Sequence, residues 1–330
     1  MTEYKVLIPQ DVAEEGKAYL RDRGYEIKMG RGISAEEMKA DVVDCDAILA
    51  RTAPFPAEVL EAGSKLRVIG RHGVGVDNID VKRATELGIA ITYTPNANCN
   101  TVAELAIGFI IALGRNIVRC NQAVRAGDFE IRNRLKGMDL KGKTLGVMGL
   151  GKIGRLVAQK AHHGLAMDII GYDPFLKAED YPEGVVKVDD WDEMFKTSDF
   201  ISLHIPSTEE TKHSIGKREF EMMKPSAYLI NTARGELLVE EELVSALQNG
   251  DIAGAGLDVF EQEPPTQDHP LFALDNVILT PHNAALTTEC MVRMAVTAAQ
   301  GIHEVLSGQE PTYPVKGVTG LPLLPERGKT

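Results

Sequence analysis

Three polar segments, each following a strand-like run, contain side chains that could perform acid–base chemistry on a small acid. They contribute Arg234, Glu263 and His282. A guanidinium group can form a bidentate pair with a carboxylate. An imidazole can remove a hydroxyl proton, or return it, while a neighbouring carboxylate fixes its tautomer and favours its protonated form. Together these side chains predict hydride transfer at the α-carbon of a 2-hydroxy acid.

A glycine-rich motif, GLGKIG at residues 149–154, lies between a strand pattern and a helix pattern. This arrangement is typical of a turn that brings backbone N–H groups and a helix N-terminus to a pyrophosphate. The next strand pattern ends at Asp173, about twenty residues past the last glycine, where a carboxylate meets the ribose diol of a dinucleotide. Because that carboxylate repels a 2′-phosphate, the sequence predicts NAD rather than NADP as the cofactor.

Strand-like runs alternate with helical patterns along almost the whole chain, which is typical of βαβ units on a parallel sheet. A chain of 330 residues is also too long for one compact core. We therefore predict an α/β fold with two doubly wound parallel-sheet domains. A discontinuous substrate-binding domain takes residues 1–97 and 289–330, and a cofactor-binding domain with six strands takes residues 98–288.

The composition excludes several partners. Lys and Arg number 36 against 48 Asp and Glu, with no basic cluster, which excludes nucleic acid. The most apolar run, residues 105–113, is far shorter than the roughly 20 residues of a membrane span. The four cysteines are scattered, and the N-terminus lacks the layout of a signal peptide. These features predict reduced thiols, no bound metal and a cytoplasmic protein.

A long helical pattern over about residues 101–126 is apolar on nearly every face in its first half. A helix of that kind must be buried on more than one side. We expect it to pack against its own domain and against a second subunit in a homodimer.

Several linked motifs resemble those of the D-isomer-specific 2-hydroxyacid dehydrogenases, and most of all their phosphoglycerate dehydrogenase branch, over roughly residues 40–310. The motifs are GRHGVGVDNID at 70–80, Asn98 with VAE at 102–104, GLGKIG at 149–154, NTARG at 231–235, DVFEQEP at 258–264 and Pro281-His282. The resemblance implies a flavodoxin-like substrate domain and a Rossmann NAD-binding domain, with the active site in the cleft between them.

The resemblance also implies roles for individual residues. Arg234 would be the catalytic arginine that binds substrate, Glu263 the carboxylate partner and His282 the acid/base. Asp258 would bind the nicotinamide carboxamide, and His204 would lie beside the cofactor. The full set expected to bind cofactor is Gly149, Gly151, Lys152, Ile153, Gly154, Asp173, His204, Pro206, Thr211, Thr232 and Asp258.

Five residues of the first domain are expected to bind substrate. The backbone of Val74 and Gly75 would contact the substrate carboxylate, and Asn98 would lie near the hinge. Arg51 and Arg71 follow or end strand patterns of this domain, and equivalent arginines of the family would bind a substrate phosphate.

Three functions remain open at this point. The first is NAD-dependent oxidation of 3-phosphoglycerate or a close 2-hydroxy acid. The second is reduction of glyoxylate or hydroxypyruvate. The third, from a different class, is an NAD(H)-sensing corepressor-like binding protein, since such proteins of this fold retain similar Arg, Glu and His residues.

Overall fold

Short runs of buried aliphatic residues form the strands, and amphipathic segments between them form the helices. The computed structural model describes residues 4–315. Within these, residues 4–98 and 286–315 form one compact unit, and residues 99–285 form a second. The ends of the predicted substrate-binding domain, residues 1–3 and 316–330, lie outside the described residues.

The elements follow in chain order. The first unit contains β1 (Lys5–Ile8), α1 (Glu14–Arg21), β2 (Glu26–Met29), α2 (Ala35–Val42), β3 (Ala47–Ala50), α3 (Ala57–Ala62), β4 (Val68–Arg71), α4 (Val81–Glu86) and β5 (Ala90–Thr92). The second unit contains α5 (Cys99–Gly114), α6 (Ile117–Arg125), α7 (Ile131–Arg134), β6 (Thr144–Met148), α8 (Lys152–Leu165), β7 (Asp168–Tyr172), β8 (Val185–Lys187), α9 (Trp191–Thr197), β9 (Phe200–Leu203), α10 (Lys217–Met222), β10 (Tyr228–Asn231), α11 (Glu240–Asn249), β11 (Gly254–Leu257) and β12 (Val277–Leu279). The chain then returns to the first unit as α12 (Thr288–Leu306).

The first unit has a five-stranded parallel sheet in the order β2-β1-β3-β4-β5. This is the flavodoxin-like order, so the predicted fold of this unit is confirmed. Helix α12 packs closely on β4, because Gly70 has no side chain: a Cβ there would lie 2.7 Å from the carbonyl oxygen of Ala298.

The second unit has a seven-stranded parallel sheet in the order β12-β11-β10-β9-β6-β7-β8. The chain changes direction across the sheet between β6 and β9, and ligands of doubly wound sheets bind at such a point. The Rossmann fold is confirmed, but the prediction of six strands was wrong. The strand that the sequence analysis missed is β8, a three-residue edge strand in which Val186 is mostly exposed. A strand this short has no alternating apolar pattern from which it could be predicted.

The predicted helix over 101–126 is two helices, α5 and α6, bent by 60°. The break falls at Asn116, whose φ of 53° is left-handed, a conformation that Asn tolerates better than most residues. Phe109 of α5 packs on Gly256 of β11. Among the described residues, no single helix is long and apolar enough to span a membrane, and only the bent pair meets that test jointly.

Candidate active site

Three neighbouring strands of the second unit deliver the predicted catalytic segments to one sheet edge. In the register of the sheet, Asn231 of β10 lies beside Leu257 of β11, which lies beside Leu279 of β12. All three residues end their strands, so the segments that follow them leave the sheet at the same level. These segments carry Arg234, Glu263 and His282 respectively.

Glu263 and His282 form a direct hydrogen bond. The Nδ1 atom of His282 lies 2.6 Å from the Oε2 atom of Glu263, and the other carboxylate oxygen accepts the N–H of Phe260 at 3.1 Å. Because Nδ1 is engaged by the carboxylate, the Nε2 atom of His282 remains the one that can exchange a proton with a ligand.

The charges around Glu263 favour its ionised form. Burial raises the pKa of its carboxyl group, but the hydrogen bonds from His282 and from the Phe260 N–H, with the charges of His282 and Arg234, lower the pKa overall. The structure thus pairs an ionised carboxylate with an imidazole, and the positive charge of Arg234 is close enough to stabilise that carboxylate.

Asp258 holds the segment that carries His282. Its side chain is completely buried, and Oδ1 accepts hydrogen bonds from the Thr280 hydroxyl at 2.5 Å and the Asn283 N–H at 2.9 Å. Oδ2 accepts from the Ala284 N–H at 2.9 Å, and the Asp258 carbonyl oxygen accepts from the His282 N–H at 2.7 Å. These contacts hold His282 in a left-handed conformation with φ of 50°. The carboxylate expected to bind a carboxamide is thus already bonded to three donors of the protein.

The glycines of the 149–154 motif permit a tight turn between β6 and α8. Gly149 has φ of 89°, and a Cβ there would lie 2.7 Å from the carbonyl oxygen of His204. A Cβ at Gly154 would lie 1.9 Å from the carbonyl oxygen of Gly149. No other residue type fits these two positions, which explains the spacing in the sequence.

The middle of this motif is open. Gly151 caps α8, and no atom lies within 4 Å of the Cβ position there. Lys152 and Ile153 begin the helix, which has 14 residues. An open glycine before the N-terminus of a long helix fits a pyrophosphate group, because the helix dipole and free N–H groups favour an anion.

Asp173 follows β7 and lies beside the same motif. Its Oδ2 atom accepts a hydrogen bond from the Leu150 N–H at 2.9 Å, and its Oδ1 atom accepts from the Phe175 N–H at 3.0 Å. The contact of Asp173 with a ribose diol stays a prediction.

His204 follows β9, and Ser202 lies two residues earlier. The Nε2 atom of His204 and the hydroxyl of Ser202 are 2.8 Å apart. Burial lowers the pKa of His204 to about 3, so its imidazole is neutral at physiological pH. Sequence reasoning missed Ser202, although the period of two in a strand places residues 202 and 204 on one side of the chain.

Three further residues of the predicted cofactor set, Pro206, Thr211 and Thr232, lie in the loops that follow β9 and β10. The hydroxyl of Thr211 donates to the Pro206 carbonyl oxygen at 2.7 Å and so closes its own loop. The buried hydroxyl of Thr232 has no hydrogen-bond partner among residues 4–315. A buried hydroxyl without a protein partner is suited to form a hydrogen bond with a ligand.

The predicted substrate-binding residues lie in the first unit, where Arg71 shapes the loop after β4. Its guanidinium donates to the carbonyl oxygens of Gly75 at 2.7 Å and of His72 at 2.6 Å. Within the described part of the chain, the N–H groups of Val74 and Gly75 donate no hydrogen bond. The arginine therefore fixes the carbonyl groups and leaves two N–H groups available to an anion.

The other two residues of this set, Arg51 and Asn98, also belong to the first unit. The guanidinium of Arg51 donates to the Asp11 carbonyl oxygen at 2.7 Å. The side-chain oxygen of Asn98 is buried and has no partner in residues 4–315. Over the same residues, no group of three or more His, Cys, Asp or Glu side chains could hold a metal ion.

His72 is a buried neutral histidine inside this loop, 5% exposed. Burial and the charges of Arg51 and Arg71 lower its pKa to about 4. Its Nε2 atom lies 3.3 Å from the carbonyl oxygen of Met291 in α12.

Comparison with known proteins agrees with this fold. Residues 107–284 match the model of the D-isomer specific 2-hydroxyacid dehydrogenase family, NAD binding domain. The chain is 42% identical over 324 residues to a D-3-phosphoglycerate dehydrogenase of Methanocaldococcus jannaschii, covering 98% of this chain but only 60% of that protein. It is 38% identical to a glyoxylate reductase of Korarchaeum cryptofilum, covering 93% and 94%.

A solved structure shows the same likeness. The crystal structure of a glyoxylate reductase from Paecilomyes thermophila has a TM-score of 0.85 and 32% identity, covering 96% of this chain and 99% of that one. The chain belongs to the D-isomer-specific 2-hydroxyacid dehydrogenase family, and its second unit contains the NAD-binding domain of that family.

Proposed function

We propose that the protein is an NAD-dependent D-2-hydroxyacid dehydrogenase. The observation that carries the proposal is the 2.6 Å hydrogen bond between Glu263 and His282. The charge of Arg234 is close enough to Glu263 to lower the pKa of its carboxyl group. A carboxylate–imidazole pair next to a guanidinium matches the needs of a substrate that has both a carboxylate and an ionisable hydroxyl hydrogen. Family membership and the glycine turn support the same function.

Each residue of the site has a distinct task in this proposal. When bound at the glycine turn, NAD would supply a hydride acceptor for the α-carbon of the substrate, or NADH a hydride donor in the reverse direction. Arg234 of the second unit pairs with the substrate carboxylate. The Nε2 atom of His282 takes the hydroxyl proton, and Glu263 stabilises the imidazolium that results. Asp258 keeps the segment of His282 in place.

The first substrate we propose is 3-phosphoglycerate. The Methanocaldococcus relative and others named D-3-phosphoglycerate dehydrogenase support it, as do two cationic side chains, Arg51 and Arg71, in the first unit. Hydroxypyruvate or glyoxylate is the second candidate. It is favoured because the guanidinium of Arg71 is bonded to loop carbonyls, and because relatives of similar length are named reductases of these acids.

A panel of 2-keto acids distinguishes these functions. The absorbance of NADH at its reduced-nicotinamide band is followed with phosphohydroxypyruvate, hydroxypyruvate, glyoxylate and pyruvate. We expect turnover, with a higher kcat/KM for NADH than for NADPH. Tight NADH binding without turnover of any acid would contradict the proposal and favour a nucleotide-sensing protein.

We also propose a cytoplasmic homodimer. Within residues 4–315 the structure has thiols rather than disulfides at Cys45, Cys99, Cys120 and Cys290, as in a reducing compartment. Ile117 and Val124 of α6 and the nearby Phe129 are large apolar side chains that are at least half exposed. Light scattering at micromolar concentration should give a dimer mass, and Val124→Glu should lower it. A monomer mass for the wild type would contradict the proposal.

A further inference from the structure

The carboxylate of Glu240 joins two segments of the second unit. Glu240 begins α11, directly after the segment that carries Arg234, and its side chain is 17% exposed. Its Oε1 atom lies 2.7 Å from the Nε2 atom of His269, and its Oε2 atom accepts the N–H of Glu261 at 3.2 Å. Both of these donors belong to the segment that carries Glu263.

His269 has both ring nitrogens engaged. While Nε2 donates to Glu240, Nδ1 accepts the N–H of Leu271 at 3.3 Å and caps the 3-10 turn Pro270–Ala273. The ring is 12% exposed and meets the ring of Phe260 edge-on, with 5.8 Å between centroids. The imidazole thus fixes the far end of the Glu263 segment through contacts on three sides.

The two segments also touch through their backbones. A Cβ at Gly235 would lie 2.0 Å from the carbonyl group of Phe260 and 2.4 Å from the nitrogen of Glu261. The turn after Arg234 therefore lies directly against the peptide whose N–H donates to Glu240. The same Phe260 residue donates its own N–H to Glu263.

We infer that Glu240 and His269 are positioning residues that hold Glu263, and through it His282, in place relative to Arg234. This inference rests on the proposed function, because it concerns how the same site is assembled. Glu240 acts on the backbone of Glu261 only, since the side chain of Glu261 pairs with His213 at 2.7 Å. Removing the carboxylate would leave a buried imidazole N–H and a peptide N–H without acceptors, which favours rearrangement of the segment.

The test compares Glu240→Ala with Glu240→Gln, and uses Glu241→Ala as the matched control. Glu241 is the exposed neighbour in the same helical turn, so the control removes the same charge. A glutamine at position 240 keeps one of the two acceptor oxygens, whereas alanine keeps neither. We expect Glu240→Ala to lower kcat about tenfold to a hundredfold, because small displacements of catalytic groups have effects of that size. The KM for NADH should stay constant, and Glu240→Gln should lose less activity than Glu240→Ala.

The pH profile separates positioning from a general structural defect. Donors from His282 and Phe260 help to keep the pKa of Glu263 low. When its segment loosens in Glu240→Ala, this pKa rises, so the acid limb of kcat for keto acid reduction should move to higher pH. The limb should not move in Glu241→Ala. An unchanged limb and kcat in Glu240→Ala, or equal losses in the alanine and glutamine variants, would overturn the inference.

Hydrogen exchange provides a readout that does not depend on turnover. We expect peptides covering residues 258–271 to exchange faster in Glu240→Ala than in the wild type, Glu240→Gln or Glu241→Ala. Equal exchange in all four proteins would overturn the inference. A wild type that reduces no keto acid would overturn the proposed function instead, and the exchange comparison would still decide whether Glu240 holds the segment.

Discussion

The two units both present backbone N–H groups after a strand, but by different means. In the second unit, the turn at Gly149 leads directly into α8, and the helix N-terminus supplies the N–H groups and a positive dipole. In the first unit, no helix follows β4 until Val81, and the guanidinium of Arg71 holds the carbonyl groups of the loop from inside. The conformation of the turn before α8 thus depends on the spacing of its glycines, whereas that of the loop after β4 depends on the side chain of Arg71.

Two buried histidines, one in each unit, differ from His282 in exposure and in hydrogen-bond partner. His72 and His204 are both kept neutral, with pKa values lowered to about 4 and about 3, and neither faces a carboxylate. His282 is about half exposed and is hydrogen-bonded to Glu263. Of these three histidines, only His282 combines exposure to a ligand with a carboxylate partner. The chemistry should therefore reside in the second unit, while the first unit contributes binding.

Loss of the acid/base should have the largest effect. His282→Ala should lower kcat by roughly two to four orders of magnitude, the usual contribution of a positioned acid/base group. Steady-state kinetics with the best keto acid measures it, and His163→Ala, which removes an exposed histidine of α8, is the control. Turnover by His282→Ala equal to that of the control would place the acid/base elsewhere.

Loss of Arg71 tests whether the first unit contributes substrate binding rather than chemistry. If the guanidinium shapes the loop, Arg71→Ala should raise KM about tenfold or more for phosphorylated and unphosphorylated acids alike, with less effect on kcat. NADH affinity, a property of the second unit, should not change. A loss confined to the phosphorylated acid would show that Arg71 binds the phosphate, and Arg51→Ala provides the parallel test of the other arginine.

Loss of Asp173 tests cofactor choice. Asp173→Ala removes the carboxylate beside the Leu150 N–H, and we expect kcat/KM for NAD to fall about tenfold while that for NADP changes less. The ratio of the two values measures the effect. A wild type that prefers NADP would contradict the assignment.

The smallest effect should be on acid stability. Between its folded pKa of about 4 and the ordinary value of 6.5, His72 binds fewer protons in the folded state than in the unfolded state. The free energy of unfolding should therefore decrease as pH falls from 6.5 towards 4, with a slope of up to ~1.4 kcal/mol per pH unit from this residue. In urea titrations across this range His72→Gln should reduce the slope, and His163→Gln should not. An unchanged slope in His72→Gln would show that His72 does not titrate in this way.

The sequence predicted the parts of the molecule that depend on local spacing. The glycine turn, Asp173 and the three strand-end segments are visible because each lies next to a strong strand or helix pattern. It did not predict the hydrogen bonds of the Glu240 carboxylate, because their donors, Glu261 and His269, are 21 and 29 positions away in the sequence. It also missed the break at Asn116, where one left-handed residue interrupts an apolar pattern.

The central claim is hydride transfer between NAD and the α-carbon of a 2-hydroxy acid at the Arg234–Glu263–His282 site. It is tested most directly with NADH that carries deuterium at C4 of the transferred face, incubated with hydroxypyruvate and the wild-type protein. The account predicts D-glycerate with deuterium at C2, formed by the wild type and almost absent with His282→Ala. Product without deuterium at C2, or no product from any keto acid of the panel, would contradict it.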